Sequence, residues 1–277
     1  MKYLEITKEK FEAMVPVMRN ASEGVWTGVQ AGLEAAEDAL VDVVGLELMG
    51  ELAQDVLLLN EMRLVVSLGG ARRAVAGLDV VLTDVGFGVV KNQNLVPASR
   101  ERVGAVVEDL RRSESDAMDA LLRRLLRGGW WGRTSAGRRR VDSLLWESRR
   151  LRSLGVKLDG RDVYEDERVA LQAQIREAEG MAERIVSPEL MAELLRRERE
   201  AGEDVEFQYV LVRQAVRRFM AVVLHPERPG LDGAGRQLLA LVEREAWRLP
   251  EYERSGTRRA LRMSDYANGR DDASFFF

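Results

Sequence analysis

Apolar residues return every three or four positions in two well-separated stretches of the chain. Val29, Leu33, Ala36, Leu40, Val43 and Val44 form the first stripe, and Leu171, Ile175, Ala178, Ala182, Ile185 and Val186 form the second. That period predicts helices with one buried face. Each stripe runs into a turn signal. Gly45 supplies it in the first, whereas in the second Ser187 offers a cap and Pro188 suits the first position of a new helix. Leu48, Met49 and Leu52 then face the same core as Leu190, Met191 and Leu194, and the small Ala36 and Ala178 sit where two helices can approach closely.

The two stretches also correspond residue by residue. Residues 30–52 align with 172–194 without a gap, 142 positions apart, and ten of the 23 aligned residues are identical. Duplication of one fold unit is the economical explanation. The pattern therefore predicts a mainly α protein of two tandem helical bundles, residues 1–138 and 139–277. A third helix is expected in each, where Ala74-Val75 matches Ala215-Val216 and Leu78 matches Phe219 at an offset of 141.

Other elements flank these helices. Thr7 is a good N-cap for a short opening helix carrying Phe11 and Met14 and stopped by Pro16, and Leu145–Ser148 leads in the same way to Leu151 and Leu154. Residues 79–91 are β-branched and punctuated by glycine, which predicts a hairpin arm in the first unit alone. A long helix follows Pro97-Ala98-Ser99, buries Leu110, Met118, Leu121, Leu122 and Leu125, and ends at Gly128-Gly129. Its counterpart is expected over Ala234 to Leu249, stopped by Pro250. Residues 251–277 are polar and weakly periodic until Phe275-Phe276-Phe277, which predicts a poorly ordered arm with an apolar tip.

Composition supports helices and removes several chemistries. Charged residues make up 32% of the chain and aromatics 6%, with Arg far in excess of Lys, which is helical usage rather than that of a sandwich or barrel. Cysteine is absent, so disulfides and thiolate chemistry are excluded. His225 is the single histidine and is expected to be solvated in a proline-rich turn, so neither a Ser-His-Asp triad nor a histidine metal site is indicated. The carboxylates Glu37, Glu47, Glu51, Glu179, Glu189 and Glu193 have spacings suited to solvated helix faces, and Gly230–Gly235 lacks the Lys-Ser/Thr of a phosphate loop. No cofactor, metal or catalysis is expected. The amino terminus lacks the apolar core of a signal peptide and no run is long enough for a membrane span, so a soluble protein made in the cytoplasm is expected.

The net charge of −4 conceals a basic band. Residues 100–152 carry 14 basic and 8 acidic side chains between two acidic ends. Within it, residues 128–140 combine glycines with Trp130, Trp131, Arg133, Arg138, Arg139 and Arg140, a composition able to contact phosphates, bases or an acidic protein surface. The other reading is an interdomain linker whose tryptophans pack on a domain and whose arginines are solvated. Val85, Phe87 and Val89 on the hairpin, and Phe275, Phe276 and Phe277 on the tail, are candidate partner-binding groups, because apolar residues on appendages fill grooves or extend sheets.

Ile6-Thr7 with Phe11, the Ala35-Ala36-Glu37 helix leading to Val44–Leu48, the Thr83–Val89 arm, Pro97–Val103 and the second Ala178-Glu179 helix together resemble a family of domains of unknown function, frequent in prophages of gut bacteria and encoded among virion genes. Its repeated unit is in turn similar to the head-tail connectors of tailed phages, which form rings beneath the portal. The resemblance implies a structural virion protein of the neck that contacts the portal protein, copies of itself and other neck or tail proteins, with passing DNA as a nonspecific contact. A connector usually has one unit, whereas this chain has two.

Overall fold

The computed structural model describes residues 4–19, 23–51, 55–78, 88–91, 94–97, 100–200, 206–225 and 230–264. In the first half, α1 (Lys8–Met14), α2 (Glu23–Val44), α3 (Leu46–Glu51) and α4 (Val56–Leu78) are followed by an antiparallel hairpin of β1 (Gly88–Lys91) and β2 (Asn94–Pro97), and then by α5 (Arg100–Arg127). A bridging segment holds a 3₁₀ turn at Trp131–Arg133 and α6 (Ser135–Arg140). The second half starts with α7 (Ser148–Ser153), the two-residue strands β3 (Lys157–Leu158) and β4 (Arg161–Asp162), and α8 (Glu165–Ala170). It continues through α9 (Gln172–Val186), α10 (Pro188–Glu200), α11 (Phe207–Val223), α12 (Leu231–Glu245), α13 (Pro250–Glu253) and α14 (Gly256–Ser264). The chain is mainly helical, as its apolar periodicity predicts.

Two apolar cores organise these helices. Phe11, Leu33, Leu40, Met62, Val66, Leu121 and Leu122 fill the first, between α1, α2, α4 and α5. Leu151, Ile175, Ala178, Val212, Val216, Met220 and Val242 fill the second, between α7, α9, α11 and α12. Each such side chain contributes roughly 1.5–3 kcal/mol by leaving water. Val141 and Trp146 belong to the first core while Leu144 and Leu145 belong to the second, so the cores interleave where a linker was expected.

The halves share local details. Residues 23–44 form one helix, and the span 142 positions on, residues 165–186, is helical apart from Leu171. Gly45 leaves α2 with a φ of 93°, and Ser187 leaves α9 at 86°. Glu37 and Glu179, expected on solvated faces, are both buried. Glu37 Oε1 accepts the Leu4 N–H at 2.9 Å, and the buried Glu179 carboxyl lies near Ser143 and Leu144, which act to lower its pKa against the effect of burial. Arg63 Nε donates to the Leu4 carbonyl at 2.8 Å, and Arg217 Nε to the Leu144 carbonyl at 3.0 Å. In each half, then, a guanidinium holds the carbonyl of a leucine in the segment before the opening helix with a buried carboxyl nearby, and in the first half that carboxylate also takes the leucine N–H, meeting the rule that buried backbone groups find partners.

Several expectations require correction. Arg63 and Arg217, which make these bonds to Leu4 and Leu144, stand 154 positions apart, and the same offset aligns buried Leu58, Met62, Val65 and Val66 with Val212, Val216, Phe219 and Met220. Helix α4 is buried on all sides from Val65 to Ala71, so no single apolar stripe sets its register. Helices α2 and α4 approach closely at Gly32, where a Cβ would stand 2.6 Å from the Gly70 carbonyl oxygen. Within the expected arm, residues 88–91 form β1 and pair with β2, with Val89 opposite Val96 and Val90 opposite Leu95, while residues 79–87 lie outside the described residues. A second hairpin was missed, although Asp159-Gly160, at φ of 50° and 77°, is a strong turn signal. Helix α12 begins before Ala234 and gives way at Ala246 to a 3₁₀ turn. His225 is half-buried at the end of α11. Residues 251–264, expected within an arm, lie largely in α13 and α14, where Tyr252 is buried and Arg258 pairs with Glu243 and Glu253.

Candidate assembly interface

The bridging segment takes its shape from close packing. Trp131 is fully buried and its Nε1 donates to the Val44 carbonyl at 2.9 Å, satisfying an orphan acceptor at the end of α2. The glycine beside it reflects contact: a Cβ on Gly132 would lie 2.1 Å from the Arg199 carbonyl oxygen of α10. Thr134 caps α6 by accepting the Gly137 N–H at 3.0 Å. Arg140 is 5% exposed and grips Glu165 with two bonds of 2.8 Å. Trp131 and Arg140 are therefore corrected from candidate DNA or acidic-surface contacts to interior groups, while Trp130, Arg133, Arg138 and Arg139 remain exposed.

Helix α5 presents a polar stripe at one-turn spacing, Arg111, Ser115, Asp119 and Arg123, to the second half. Arg111 Nη2 meets Glu167 at 2.6 Å and Asp166 at 3.5 Å; Arg123 Nε meets Glu147 at 2.9 Å. Asp119, with no exposed surface, accepts the N–H groups of Ser148 at 3.3 Å and Arg149 at 2.7 Å. Next to Ser115, Asp116 pairs with Arg152, which also donates to the Val163 carbonyl. Burial pushes Asp119 up to about 6 and Arg140 down. Burial also acts to raise Glu165, but Arg140 and Arg168 overcome it and hold that carboxyl at about 2. The contact between the halves is thus a buried, mutually paired ion network, the kind whose disruption leaves uncompensated charge.

One groove adjoins this network, and another lies on the second half. One, of about 100 Å³, lies over Ala39 and Val43 of α2 and Glu114, Ser115 and Met118 of α5, and is walled by Tyr164, Glu165 and Asp166 from the second half. The other, of about 610 Å³, lies over Met181 and Ile185 of α9 and Gly235, Arg236 and Leu239 of α12. Met181 and Ile185 stand 142 positions after Ala39 and Val43, and Gly235, Arg236 and Leu239 stand 121 after Glu114, Ser115 and Met118. Thr257 and Leu261 of α14 give the larger groove one wall. Sequence reasoning missed both grooves, since each draws on helices distant in the chain.

Val85, Phe87, Phe275, Phe276 and Phe277 lie outside the described residues, and Val89 sits in β1. Among the described residues, no three His, Cys, Asp or Glu side chains gather in a way that suits a metal ion, and no helix is long and apolar enough to cross a membrane.

The fold and its buried junction define a mainly helical protein of two packed bundles. Residues 32–129 match the model of a family of unknown function, DUF6712, a domain running from within α2 to just past α5. No curated protein and no solved structure matches the chain.

Proposed function

We infer that this chain is a structural virion protein of a tailed phage or prophage, a head-tail connector or head-completion adaptor that joins a ring beneath the portal and acts without catalysis. The observation that carries this reading is the junction of Asp119, Arg140 and Glu165, which locks two bundles into one body and so suits a part that transmits position between neighbours. The resemblance of the sequence to connector-like domains supports the same role. Duplication of one bundle accounts for the arginine bonds to Leu4 and Leu144 and the positive φ at Gly45 and Ser187. The exposed Trp130, Arg133, Arg138 and Arg139 favour one rival, a cytoplasmic nucleic-acid-binding accessory protein.

Co-expression with a portal protein from the same genome, followed by electron microscopy, tests the proposal. Density for this chain on the portal ring is the expected result. Absence of portal binding, with nonspecific DNA binding that falls steeply as salt rises, would replace the neck role by the rival, because phosphate neutralisation gives that salt dependence.

A further inference from the structure

The segments that follow α5 and α12 are built alike. Trp131 and Tyr252, 121 positions apart, are fully buried. Three residues further on, Thr134 caps α6 by accepting the Gly137 N–H at 3.0 Å, and Ser255 caps α14 by accepting the Arg258 N–H at 3.1 Å. Arginines recur in the same register: Arg127, Arg133 and Arg138 answer Arg248, Arg254 and Arg259, and all six are exposed.

Many other arginines of this protein are tied to carboxylates, as Arg124 is to Glu61 and Arg196 to Glu193. Among the described residues, five of these six enter no ion pair, and Arg248 stands 3.9 Å from Glu245. Residues 120–141 hold seven arginines and no Asp or Glu. Beside the second set, the carboxylates are already engaged: Glu251 accepts the Tyr209 hydroxyl at 2.8 Å, and Glu253 pairs with Arg258 and Arg262. Each set also has an exposed indole, Trp130 at 41% and Trp247 at 71%, and the Arg248 guanidinium lies 4.2 Å from the centre of the Trp247 ring. Free guanidinium groups track a phosphate backbone, and an exposed aromatic ring offers a base a face to stack on.

We propose that the two arginine sets are separate binding surfaces for a single strand of nucleic acid, with the arginines on its phosphates and Trp130 and Trp247 against its bases. The inference goes beyond the neck role, and it adds a second surface to the bridge, where composition alone had suggested one. Three phosphates per set correspond to a fall of log affinity with log salt of slope about −2 for each surface. The net charge of −4 leaves little long-range attraction, so binding depends on these contacts.

The full-length protein titrated against a short labelled oligothymidylate at low salt, with anisotropy and tryptophan fluorescence read together, provides the test. Arg254→Ala combined with Arg259→Ala is expected to weaken binding at least about fivefold, Arg133→Ala with Arg138→Ala to do the same, and all four together to abolish it. Trp247→Ala is expected to remove part of the fluorescence quenching. Arg196→Ala, which removes an exposed arginine already paired with Glu193, should change nothing. Every substituted side chain is exposed, so the variants keep the wild-type melting behaviour. No binding by the wild type overturns the proposal, as does binding indifferent to Arg254 and Arg259. Equally tight binding of polyglutamate also overturns it and assigns the surfaces to an acidic protein. Portal binding without strand binding removes these surfaces and leaves the neck role; strand binding without portal binding does the reverse.

Discussion

At the scale of single residues, the informative groups are those the interior forces into unusual states. Ser187 has φ 86° and ψ 150°, a region that costs a residue with a side chain about 1–3 kcal/mol, while its hydroxyl caps α10 by accepting the Leu190 N–H. Glycine loses only a few tenths of a kcal/mol as a cap. Ser187→Gly is therefore expected to raise stability by about 1 kcal/mol in urea unfolding, and Gly45→Ala, at φ 93°, to lower it. Burial lifts Glu179 to about 7 from 4.5. The native state then holds a proton that the unfolded chain has released, so this group's contribution declines as pH rises from 4.5 to 7. Asp119, lifted to about 6 from 3.8, acts in the same direction; Glu165, held at about 2, adds stability that is lost as pH falls from 4.5 toward 2. Glu179→Gln is expected to raise the urea midpoint at pH 8 and to match the wild type near pH 5. A penalty at pH 8 as large as at pH 5 would contradict that assignment.

Among elements, the decisive one is the bridge of residues 128–140. Its composition reads equally well as a flexible basic linker or a packed segment, because glycine serves both mobility and close approach. The contact of Gly132 with the Arg199 carbonyl selects the second. Gly132→Ala should cost about 1–3 kcal/mol through overpacking, whereas Arg138→Ala, on the surface, should leave the denaturation midpoint within about 0.5 kcal/mol. A free linker would tolerate both. The polar stripe of α5 was likewise visible as residues, but its partners on α7 and α8 were not.

For the whole molecule, the ion network makes the two bundles one cooperative body. Breaking a buried pair costs about 3–5 kcal/mol, because the abandoned charge stays desolvated. Arg140→Ala takes the guanidinium from buried Asp119 and leaves Glu165 with Arg168 alone, and should therefore lower stability by about that amount and split thermal unfolding into two calorimetric transitions. A single transition, displaced by less than about 1 kcal/mol, would show that the junction does not couple the halves.

Period and local backbone preference are enough to read the helical class, the apolar stripes of α2 and α9, the Thr7 cap and the turns at Gly45 and Ser187 from the residues. The burial of Glu37 and Glu179, the inward turn of Trp131 and Arg140 and the groove shared by α2, α5 and α8 emerge only in the folded chain. Those outcomes depend on which segments, far apart in the chain, share a low-dielectric interior, and neither charge nor helical period carries that information.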